Sequence, residues 1–390
     1  MKSIKEADVK NKRVLVRVDF NVPLEKGRIL DDSKVRAHFP TIDYLTKKGA
    51  KVILISHLGR PKGKKVKEFS LKPVAKILEK IIGINVKFLS EAWGQGTKAK
   101  VEKMKQGEVC LLENLRYYEG EELNDPAFAK KIAELGDIFV EDAFANCHRA
   151  HASMVGVPKL LPSYAGLLLE EELENLNKYL KKPRKPFVCI IGGAKISTKI
   201  EVLKALLKKT DVLIVGGGMA NTFIEAEGFD VGSSLEETEF VDEADEIIRD
   251  AGYEGVELLL PDDVVVAKKI EEGAKTQVKD IAEISKGDII VDIGPKSVGK
   301  FAQPIKFAST IFWNGPLGVT EVHKFARDTA AITRLIAESG AITIVGGGDT
   351  IAAIEKTGYR DKFTYVSTGG GATMAYIQND GKLPGVEALK

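Results

Sequence analysis

Short apolar runs recur along the chain, and longer segments with a helical spacing of apolar positions separate them. Most of the runs are continuous and rich in β-branched residues, which is typical of strands buried on both faces of a sheet. They predict strands at Val14–Val18, Lys51–Ser56, Val109–Leu112, Ile138–Val140, Phe187–Ile191, Val212–Val215, Glu257–Leu260, Thr310–Trp313, Ala341–Val345 and Phe363–Val366. Because helical segments alternate with these strands, the pattern predicts an α/β fold of parallel sheets with helices on both sides.

Two of the helical segments carry start signals. Asp125 can cap a helix whose first residue is Pro126, and Gly136 can end that helix. Ser70 is a similar cap before the periodic segment LKPVAKILEKIIG. We therefore expect helices to begin next to Asp125 and Ser70.

A charged helical segment, LLLEEELENLNKYLKK, lies near the middle of the chain and is followed by PRKP, which cannot continue a helix. A chain of 390 residues with 44% hydrophobic residues is long enough for two domains, each with its own core. We therefore predict an N-terminal domain over residues 1–170, a connector over 171–186 and a C-terminal domain over 187–377.

The overall charge does not indicate a nucleic-acid partner. Charged residues make up 29% of the chain, but the formal net charge is only +2. No signal peptide is visible, and no apolar run is long enough to cross a bilayer. Cys110 and Cys189 lie in apolar runs, and together with Cys147 they form no CxxC pair. These features argue against a disulfide framework and a zinc site, and they favour a cytoplasmic protein.

In the first half of the chain, four predicted strands end in Arg, His, Asp or Asn. They occur in VLVRVDFNVP, VILISHLGRP, CLLENLRYYEG and IFVEDAFANCHRAH. Because ligands of open α/β sheets bind outside the carboxyl ends of the strands, these side chains are candidates for one site. The candidates are Asp19, Asn21, His57, Arg60, Arg116, His148, Arg149 and His151, with Arg36 shortly after the first loop. Several guanidinium groups in one crevice would bind phosphate or carboxylate oxygens in bidentate fashion, so we predict an anion site.

Two other interpretations of these residues stay open. Any single Arg could form a salt bridge at the rim of the sheet, and for Arg17, deeper in its strand, we favour that interpretation. His148 and His151 could form a metal pair, but no third ligand with a usual spacing is near, and Arg149 between them disfavours a cation.

In the second half of the chain, four predicted strands end in glycine clusters, in VCIIGGAK, VLIVGGGMAN, ITIVGGGDT and YVSTGGGAT. Glycine lets the N–H groups of a helix start approach the phosphates of a nucleotide closely. Lys195 and Lys199, one helical turn apart, could hold these phosphates, and Asp349 could cap a helix or hold magnesium. Alternatively, each glycine cluster is a close-packing turn without a ligand.

Three standard motifs are missing. Gly294–Phe301 resembles a Walker A loop, but Phe301 stands where a Ser or Thr would meet magnesium, and Gly294-Pro295 is typical of a helix start. No GxGxxG fingerprint follows a strand, which counts against a nicotinamide enzyme. No GxSxG elbow supports a serine hydrolase.

Ten motifs in order resemble those of the phosphoglycerate kinase family over essentially the full length: VLVRVDFNVP, ISHLGRP, LLENLR, DAF…HRAH, GGAK, GGGMA, FWNGPLGV, GGGDT, STGGGA and LPGVEAL. The resemblance implies two Rossmann-like three-layer α/β/α domains with parallel sheets, joined by a helical hinge. It implies reversible transfer of a phosphoryl group between 1,3-bisphosphoglycerate and ADP, giving 3-phosphoglycerate and ATP, with magnesium and hinge-bending closure. It also implies that a tail over about 378–390 returns to the first domain. We expect a monomer whose partners are these small molecules.

Position by position, the resemblance assigns the candidate residues to two ligands. Phosphoglycerate would be bound by Asp19, Asn21, Arg36, His57, Arg60, Arg116 and Arg149. The nucleotide would be bound by Gly193, Lys195, Lys199, Gly217, Gly218, Asn314, Pro316, Val319, Glu321, Gly347, Gly348, Asp349 and Thr350, with Asp349 as the magnesium ligand. The catalytic groups would be Arg36, Lys195 and the N–H groups of Gly370 and Gly371.

The chain departs from the family pattern at three places. Thr198 stands where Asp is usual, Ala375 where Glu is usual, and Ala145-Asn146-Cys147 differs from the usual small residues. These departures concern loop contacts and metal handling near Lys199. They leave the proposed chemistry intact: the acceptor carboxylate is already ionised at neutral pH, so no general base is needed, and we expect in-line transfer without a phosphoenzyme.

Three other functions compete with this one. A different ATP-dependent small-molecule kinase would keep the nucleotide half and change the acceptor. A non-catalytic two-domain protein that closes on an anion would need the basic half alone. A nucleic-acid role is disfavoured by the near-neutral net charge.

Overall fold

The computed structural model describes the chain from Met1 to Lys390, and every strand predicted from an apolar run is present within a residue or two of its predicted bounds. The strands are β1 (Arg13–Arg17), β2 (Leu24–Glu25), β3 (Arg28–Ile29), β4 (Lys51–Ile55), β5 (Val86–Leu89), β6 (Val109–Leu112), β7 (Ile138–Glu141), β8 (Ser163–Ala165), β9 (Phe187–Ile191), β10 (Val212–Val215), β11 (Glu257–Leu259), β12 (Asp263–Ala267), β13 (Thr276–Asp280), β14 (Ile289–Ile293), β15 (Thr310–Asn314), β16 (Ile342–Gly346) and β17 (Tyr365–Ser367).

Helices lie between most of the strands. They are α1 (Ser33–Ala37), α2 (Phe39–Lys47), α3 (Lys72–Ile82), α4 (Gln95–Glu102), α5 (Glu119–Glu122), α6 (Pro126–Ala133), α7 (Leu167–Leu180), α8 (Ile200–Leu207), α9 (Gly218–Ala226), α10 (Val241–Glu254), α11 (Pro295–Phe307), α12 (Arg327–Glu338), α13 (Gly348–Glu355), α14 (Gly371–Gln378) and α15 (Pro384–Glu387). None of them is both long enough and apolar enough to pass through a membrane.

The chain divides into two units, each built on a six-stranded parallel sheet. Unit 1 comprises Met1–Glu174 and Lys382–Lys390, and unit 2 comprises Asn175–Gly381. The strand order is β5-β6-β4-β1-β7-β8 in unit 1 and β11-β10-β9-β15-β16-β17 in unit 2. All neighbours in both sheets pair in parallel, which confirms the α/β fold class predicted from the alternation of elements.

Each sheet has its own hydrophobic core. In unit 1 the strand side chains pack with residues of α2 and α3, and the cluster includes Val14, Val16, Val52, Leu54, Val109, Leu111, Ile42, Leu45 and Leu78. In unit 2 the strands pack with α11, α12 and α13, and the cluster includes Val188, Ile190, Ile311, Trp313, Val345, Phe301, Ile332 and Ile354. Burial of such a side chain contributes about 1.5–3 kcal/mol, so these central strands form rigid supports for the loops at their ends.

The helix starts agree with the sequence signals at one position and differ at another. Asp125 caps α6 by accepting a hydrogen bond from the N–H of Phe128 at 2.6 Å, as predicted. Ser70 lies one residue too early, since Leu71 is the N-cap of α3. The Ser70 hydroxyl instead donates to Glu113 Oε2 at 2.7 Å. The same buried carboxylate accepts from the N–H of Leu71 at 2.9 Å, so Glu113 holds both residues before the helix.

The Walker-like segment forms a helix start, as Gly294-Pro295 suggested. Gly294 is the N-cap of α11, and the side chain of Asp263 accepts hydrogen bonds from the main-chain N–H groups of the first turn. Asp263 Oδ1 accepts from the N–H of Ser297 at 2.7 Å and Oδ2 accepts from the N–H of Lys296 at 3.0 Å. A carboxylate therefore occupies the place where a phosphate would bind in a P-loop.

A three-stranded antiparallel sheet, in the order β13-β12-β14, was not predicted from the sequence. It lies between β11 and α11 in the chain, and its outer strand, Thr276–Asp280, has no buried residue. The exposed, polar β13 lacks the apolar run by which other strands were identified, whereas β12 and β14 contain short apolar runs that were not assigned to strands.

Candidate functional site

The four polar strand ends of the first half meet at one edge of the unit 1 sheet. Strands β6, β4, β1 and β7 are consecutive neighbours, and their carboxyl ends lead to Arg116, His57, Asp19 and Arg149 in that order. These side chains also interact electrostatically: Asp19 with His57, His57 with Arg116, and Arg116 with Arg149. The fold thus places the candidate anion-binding residues of four separate motifs along a single rim.

Asp19 is the one acidic group of this rim among the candidates, and it is 5% exposed. Its Oδ2 lies 2.9 Å from Lys34 Nζ, and its Oδ1 accepts from the N–H of Asn21 at 3.2 Å. Burial opposes ionisation, but the charges of Lys34 and Arg17 outweigh it, so the pKa of Asp19 lies well below its ordinary value. Asp19 therefore stays a carboxylate, able to accept a hydrogen bond from a ligand hydroxyl.

His57 is neutral, and its orientation is set by a buried arginine. Burial and the nearby Arg17 charge hold the pKa of His57 well below its usual value. Arg17 Nη2 lies 3.1 Å from His57 Nδ1, and because a guanidinium only donates, Nδ1 is the acceptor and the ring proton is on Nε2. Arg17 is 1% exposed and also donates to Ser153 Oγ at 3.0 Å and to the carbonyl of Val18. Arg17 therefore orients the His57 ring by this hydrogen bond. It does not form the salt bridge at the rim that we favoured from the sequence.

Arg116 is held in the rim by main-chain groups of the neighbouring loop. It donates through Nη1 to the carbonyl of Gly59 at 2.9 Å, and its Nε lies 3.3 Å from Glu122 Oε1 without hydrogen-bond geometry. Burial lowers the pKa of Arg116 to about 10, with Arg149 and Arg17 adding to the effect. A guanidinium that is desolvated among other cations gains most from an anionic ligand.

His148 and His151 belong to the same electropositive region. Burial lowers the pKa of each to about 4, and Arg149 and Arg116 contribute in both cases. No group of three or more His, Cys, Asp or Glu side chains in the chain is arranged to hold a metal ion. Neutral imidazoles among arginines suit an anion better than a cation.

Three further candidates of unit 1 differ in their surroundings. Asn21 Oδ1 accepts from the N–H of Gly59 at 2.9 Å, so its amide connects the loops after β1 and β4. Arg60 is exposed and Arg36 has a side chain that is 62% exposed. Arg36 forms a two-point contact with Asp32, in which Nε and Nη2 each lie 2.8 Å from a carboxylate oxygen. The structure therefore shows Arg36 paired on α1 and in no contact with the rim.

In unit 2 the strand order reverses between β9 and β15, which is where ligands of doubly wound sheets bind. The loops GGAK and NGPLG follow these two strands and touch through their backbones. Gly193 donates to the carbonyl of Pro316 at 3.0 Å, and a Cβ on Gly315 would lie 2.2 Å from the carbonyl oxygen of Gly192. Glycine is required here because of this close approach.

The glycine-rich loop after β10 packs against the loops that follow β9 and β15. Gly217 has a φ of 68° and donates to the carbonyl of Leu317 at 3.1 Å, and α9 begins at Gly218. α13 and α14 begin in the same way at Gly348 and Gly371, after strands β16 and β17. A Cβ on Gly370 would lie 3.5 Å from the Cα of Gly347, so these two helix starts are close together. Their free N–H groups suit phosphate oxygens.

The two lysines of the GGAKISTK segment have different environments. Lys199 Nζ donates to the carbonyl of Gly192 at 2.5 Å and to Asn314 Oδ1 at 3.2 Å. Burial lowers the pKa of Lys199 to about 8, although Asp349 opposes the effect. The side chain of Lys195 is 56% exposed, and its Nζ lies 3.8 Å from Glu237 Oε1. The exposed side chain of Lys195 can thus move toward a ligand, whereas the side chain of Lys199 is held by its hydrogen bonds to Gly192 and Asn314.

The glycine-rich loop that carries Lys195 is anchored by a residue that the sequence analysis missed. Glu237 is 8% exposed and accepts from the N–H of Ser197 at 2.9 Å and from the Ser197 hydroxyl at 2.7 Å. Thr198, which replaces the usual Asp of the family pattern, closes the turn by donating to the carbonyl of Lys195 at 3.1 Å. The departure thus leaves the local turn intact without a carboxylate.

Hydrogen bonds of Asn314 and Thr350 join the loops after β15 and β16, next to Asp349. Asn314 Nδ2 donates to the carbonyl of Gly346 at 2.9 Å, and the Thr350 hydroxyl accepts from the N–H of Gly315 at 2.7 Å. Asp349 is exposed in the first turn of α13. Mg²⁺ prefers one or two carboxylates together with phosphate oxygens, so a single exposed Asp beside a phosphate-binding surface fits a magnesium ion that arrives with the nucleotide.

Val319 and Glu321 lie on the segment after β15 that covers the antiparallel sheet. The N–H of Val319 donates to the carbonyl of Val291 at 2.8 Å, and its side chain packs against the cluster of Ala267, Val291, Val322 and Phe325. Glu321 is exposed. Lys356 Nζ fixes the segment by donating to the carbonyl of Thr320 at 2.7 Å.

Comparisons with known proteins show the family of the chain. A family model described as phosphoglycerate kinase matches residues 4–380. The chain is 50% identical over 388 residues to phosphoglycerate kinase from Dictyoglomus turgidum, covering 99% of this chain and 98% of that protein. It is 49% identical over 387 residues to the enzyme from Moorella thermoacetica, with 99% and 98% covered.

Solved structures give the same result. The phosphoglycerate kinase of Coxiella burnetii superposes with a TM-score of 0.84 at 43% identity, covering 99% of this chain and 98% of that one. The enzyme of Pyrococcus horikoshii superposes with a TM-score of 0.89 at 31% identity, covering 100% and 98%. The chain therefore belongs to the phosphoglycerate kinase family, and its activity is the glycolytic transfer of a phosphoryl group between 1,3-bisphosphoglycerate and ADP.

Proposed function

We propose that the cationic rim of unit 1 binds the phosphoglycerate and that the glycine loops of unit 2 bind the nucleotide. The observation that carries this assignment is the distribution of hydrogen-bond donors: the side chains of Arg116, His57 and Arg149 follow neighbouring strands of one sheet, and the glycine-capped helices follow strands of the other. Side-chain cations suit a small, densely charged anion, and main-chain N–H groups suit the phosphates of a nucleotide.

Within the rim, each residue has a role in this proposal. Asp19 and Asn21 bind the substrate hydroxyl, because Asp19 is held ionised by Lys34 and Asn21 lies beside it in the same loop. His57 donates through Nε2, since Arg17 occupies Nδ1. Arg60, Arg116, Arg149 and, after leaving Asp32, Arg36 bind the phosphate and carboxylate groups.

On the nucleotide side, Lys195 and Lys199 bind the phosphates. Gly193, Gly217 and Gly218 provide close backbone approach for the adenosine part. Asn314, Pro316 and Val319 line the same site, Glu321 binds the ribose hydroxyls, and Gly347, Gly348 and Thr350 lie beside Asp349. When bound, Mg²⁺ neutralises phosphate charge, and Asp349 would be its protein ligand.

The protein must then stabilise the negative charge of the phosphoryl group during its transfer. A carboxylate acceptor with an ordinary pKa near ~4 needs no base, so in-line transfer requires positioning and cations. We assign these tasks to Arg36, Lys195 and the N–H groups of Gly370 and Gly371. Because the two substrates must meet and water must be excluded, we propose that hinge bending in α7 and around Ser367–Thr368 accompanies catalysis.

We further propose that the enzyme acts as a monomer in the cytoplasm. Its three cysteines are buried free thiols, which suits a reducing compartment.

ADP formation from ATP, with and without 3-phosphoglycerate, tests the acceptor. We expect turnover with 3-phosphoglycerate and Mg²⁺, and only background hydrolysis without it or with sugars and other carboxylates. Equal turnover with another acceptor would favour a different small-molecule kinase. Binding of 3-phosphoglycerate without any ADP formation would favour a non-catalytic anion-binding protein.

The lowered pKa of Lys199 predicts a pH-dependent affinity for ATP. The free enzyme loses the Lys199 proton as pH rises through about 8, while a bound phosphate would keep the lysine charged. Affinity is therefore full below pH 7 and declines above pH 8, and by linkage the Kd for MgATP should rise about tenfold between pH 7 and pH 9. Isothermal titration at several pH values measures this rise.

A Lys199→Arg variant provides the control, because its guanidinium keeps its charge over the whole range. Its Kd for MgATP should be nearly constant from pH 7 to pH 9. The same substitution at Lys208, a solvent-side residue at the end of α8, should leave the original pH dependence in place. A pH profile of Lys199→Arg that matches the unmodified enzyme would contradict the assignment.

A further inference from the structure

A buried histidine–carboxylate pair contacts the Asp19 loop. His38 and Asp142 are 1% and 0% exposed, and His38 Nδ1 lies 2.6 Å from Asp142 Oδ2. The other ring nitrogen, Nε2, accepts a hydrogen bond from the main-chain N–H of Asp19 at 2.8 Å. Since a main-chain N–H can only donate, Nε2 carries no proton, and the ring proton lies on Nδ1, facing Asp142.

Asp142 has a second set of partners at the start of α7. Its Oδ1 accepts from the Thr41 hydroxyl at 2.8 Å and from the N–H of Leu168 at 3.0 Å. The Thr41 hydroxyl in turn accepts from the N–H of Leu167 at 3.0 Å. One carboxylate therefore fixes the tautomer of His38 and also caps the first turn of α7, a helix that runs from unit 1 into unit 2.

We propose that His38 and Asp142 are positioning residues that hold the Asp19 main chain in place for the phosphoglycerate. The inference rests on the proposed function, because it takes Asp19 as a ligand of the substrate hydroxyl. Lys34 fixes the carboxylate of Asp19, and His38 fixes its backbone, so the two contacts together leave the side chain little freedom. Neither His38 nor Asp142 contacts the substrate in this proposal; both act through Asp19.

The variant Asp142→Asn changes the tautomer of His38 with little change in shape. If the new amide keeps its carbonyl on Thr41 and Leu168, its NH₂ group faces His38, which then accepts through Nδ1 and carries the proton on Nε2. Two N–H groups, from His38 and Asp19, would then point at each other. We expect the KM for 3-phosphoglycerate to rise about tenfold and the KM for ATP to stay within twofold.

Nitrogen-15 NMR of the imidazoles gives a readout that loss of stability alone would not produce. The chain has five histidines, so the His38 signals can be assigned by substitution. The ring proton should be on Nδ1 in the unmodified enzyme and on Nε2 in Asp142→Asn. Asp142→Asn with the proton still on Nδ1, or with an unchanged KM for 3-phosphoglycerate, would overturn the proposal.

Two substitutions of His38 separate its two contacts. The side-chain oxygen of Gln can take the place of Nε2 and accept from Asp19, whereas Asn can replace only Nδ1 and contact Asp142. His38→Gln should therefore keep the KM for 3-phosphoglycerate within about twofold, and His38→Asn should raise it about tenfold. The reverse order would show that the contact with Asp19 does not set the KM.

A fourth variant changes the position of the same carboxylate from the residue that precedes α7. A Cβ on Gly166 would lie 2.0 Å from Asp142 Oδ1, so Gly166→Ala must displace it. Gly96 in α4 has open space around its Cα, and Gly96→Ala serves as the matched control. We expect Gly166→Ala to raise the KM for 3-phosphoglycerate and Gly96→Ala to leave it unchanged; equal values for the two variants would count against the proposal.

Asp19→Ala distinguishes a failure of this inference from a failure of the proposed function. If Asp19→Ala leaves the KM for 3-phosphoglycerate unchanged, Asp19 is not a substrate ligand, and both ideas are wrong. If Asp19→Ala raises the KM and Asp142→Asn does not, the substrate site stands and only the positioning role of His38 and Asp142 is refuted.

Discussion

Replacement of Arg36 by alanine should lower kcat by a factor of about 10²–10³ and change the KM values by no more than a few fold. Arg36 is exposed on α1, and its only partner is Asp32, four residues earlier. A solvent-exposed pair of this kind contributes little to the free energy of unfolding, so its loss should barely change stability. If Arg36 meets the charge of the phosphoryl group during transfer, its contact is made in the transition state and the effect falls on kcat.

Steady-state kinetics of Arg36→Ala with both substrates varied, together with thermal unfolding, measures these effects. Arg249 is a matched control, because it forms the same kind of pair with Asp245 on α10 and its side chain is 59% exposed. Arg249→Ala should keep full activity. Arg36→Lys should fall between the two, since lysine keeps the charge but loses the planar fork. An Arg36→Ala enzyme with an unchanged turnover number would remove Arg36 from the catalytic groups.

The sequence predicted the parallel sheets and the rim because both depend on local patterns. A strand buried on both faces is typically a continuous apolar run, as in Val109–Leu112 and Phe187–Ile191, and the residues after it lie at the carboxyl edge. The adjacency of β6, β4, β1 and β7 then brought His57, Asp19 and Arg116 together.

The supporting residues could not be predicted, because their contacts join segments that share no pattern. Glu237 anchors Ser197 across 40 positions of the chain, and His38 reaches Asp19 from between α1 and α2. The spacing of apolar residues in the sequence does not predict the position of either residue. Arg17 was misjudged for a related reason: a charged residue in a strand is usually near water, whereas here it is fully buried under His57.

Because Arg17 is buried, its replacement should have a large effect on the stability of unit 1. Beside its hydrogen bonds to His57, Ser153 and the carbonyl of Val18, its charge acts on the buried carboxyl groups of Glu121 and Glu141. Burial raises the pKa of both glutamates, and the Arg17 charge limits that rise. Arg17→Met should lower the free energy of unfolding by about 3–5 kcal/mol, because it leaves these groups without their cation.

The same reasoning gives the sign of the pH dependence. A carboxyl group whose pKa is raised on folding stabilises the protein below its unfolded pKa, and this stability is lost as pH rises through the folded pKa. Without Arg17, the pKa values of Glu121 and Glu141 rise further, so the loss extends to higher pH. Urea unfolding of Arg17→Met should therefore show a larger deficit at pH 8.5 than at pH 5.5.

Arg13→Met is the matched control, because Arg13 lies on the same strand and pairs with Asp137 where both side chains are partly exposed. Its deficit should be about 1 kcal/mol or less, since a solvent-accessible pair is screened. At pH 5.5, where enough Arg17→Met is folded to assay, the KM for 3-phosphoglycerate should be raised, because His57 has lost the donor that fixes its tautomer. A deficit no larger than that of Arg13→Met, independent of pH, would show that the buried charges of Glu121 and Glu141 do not depend on Arg17.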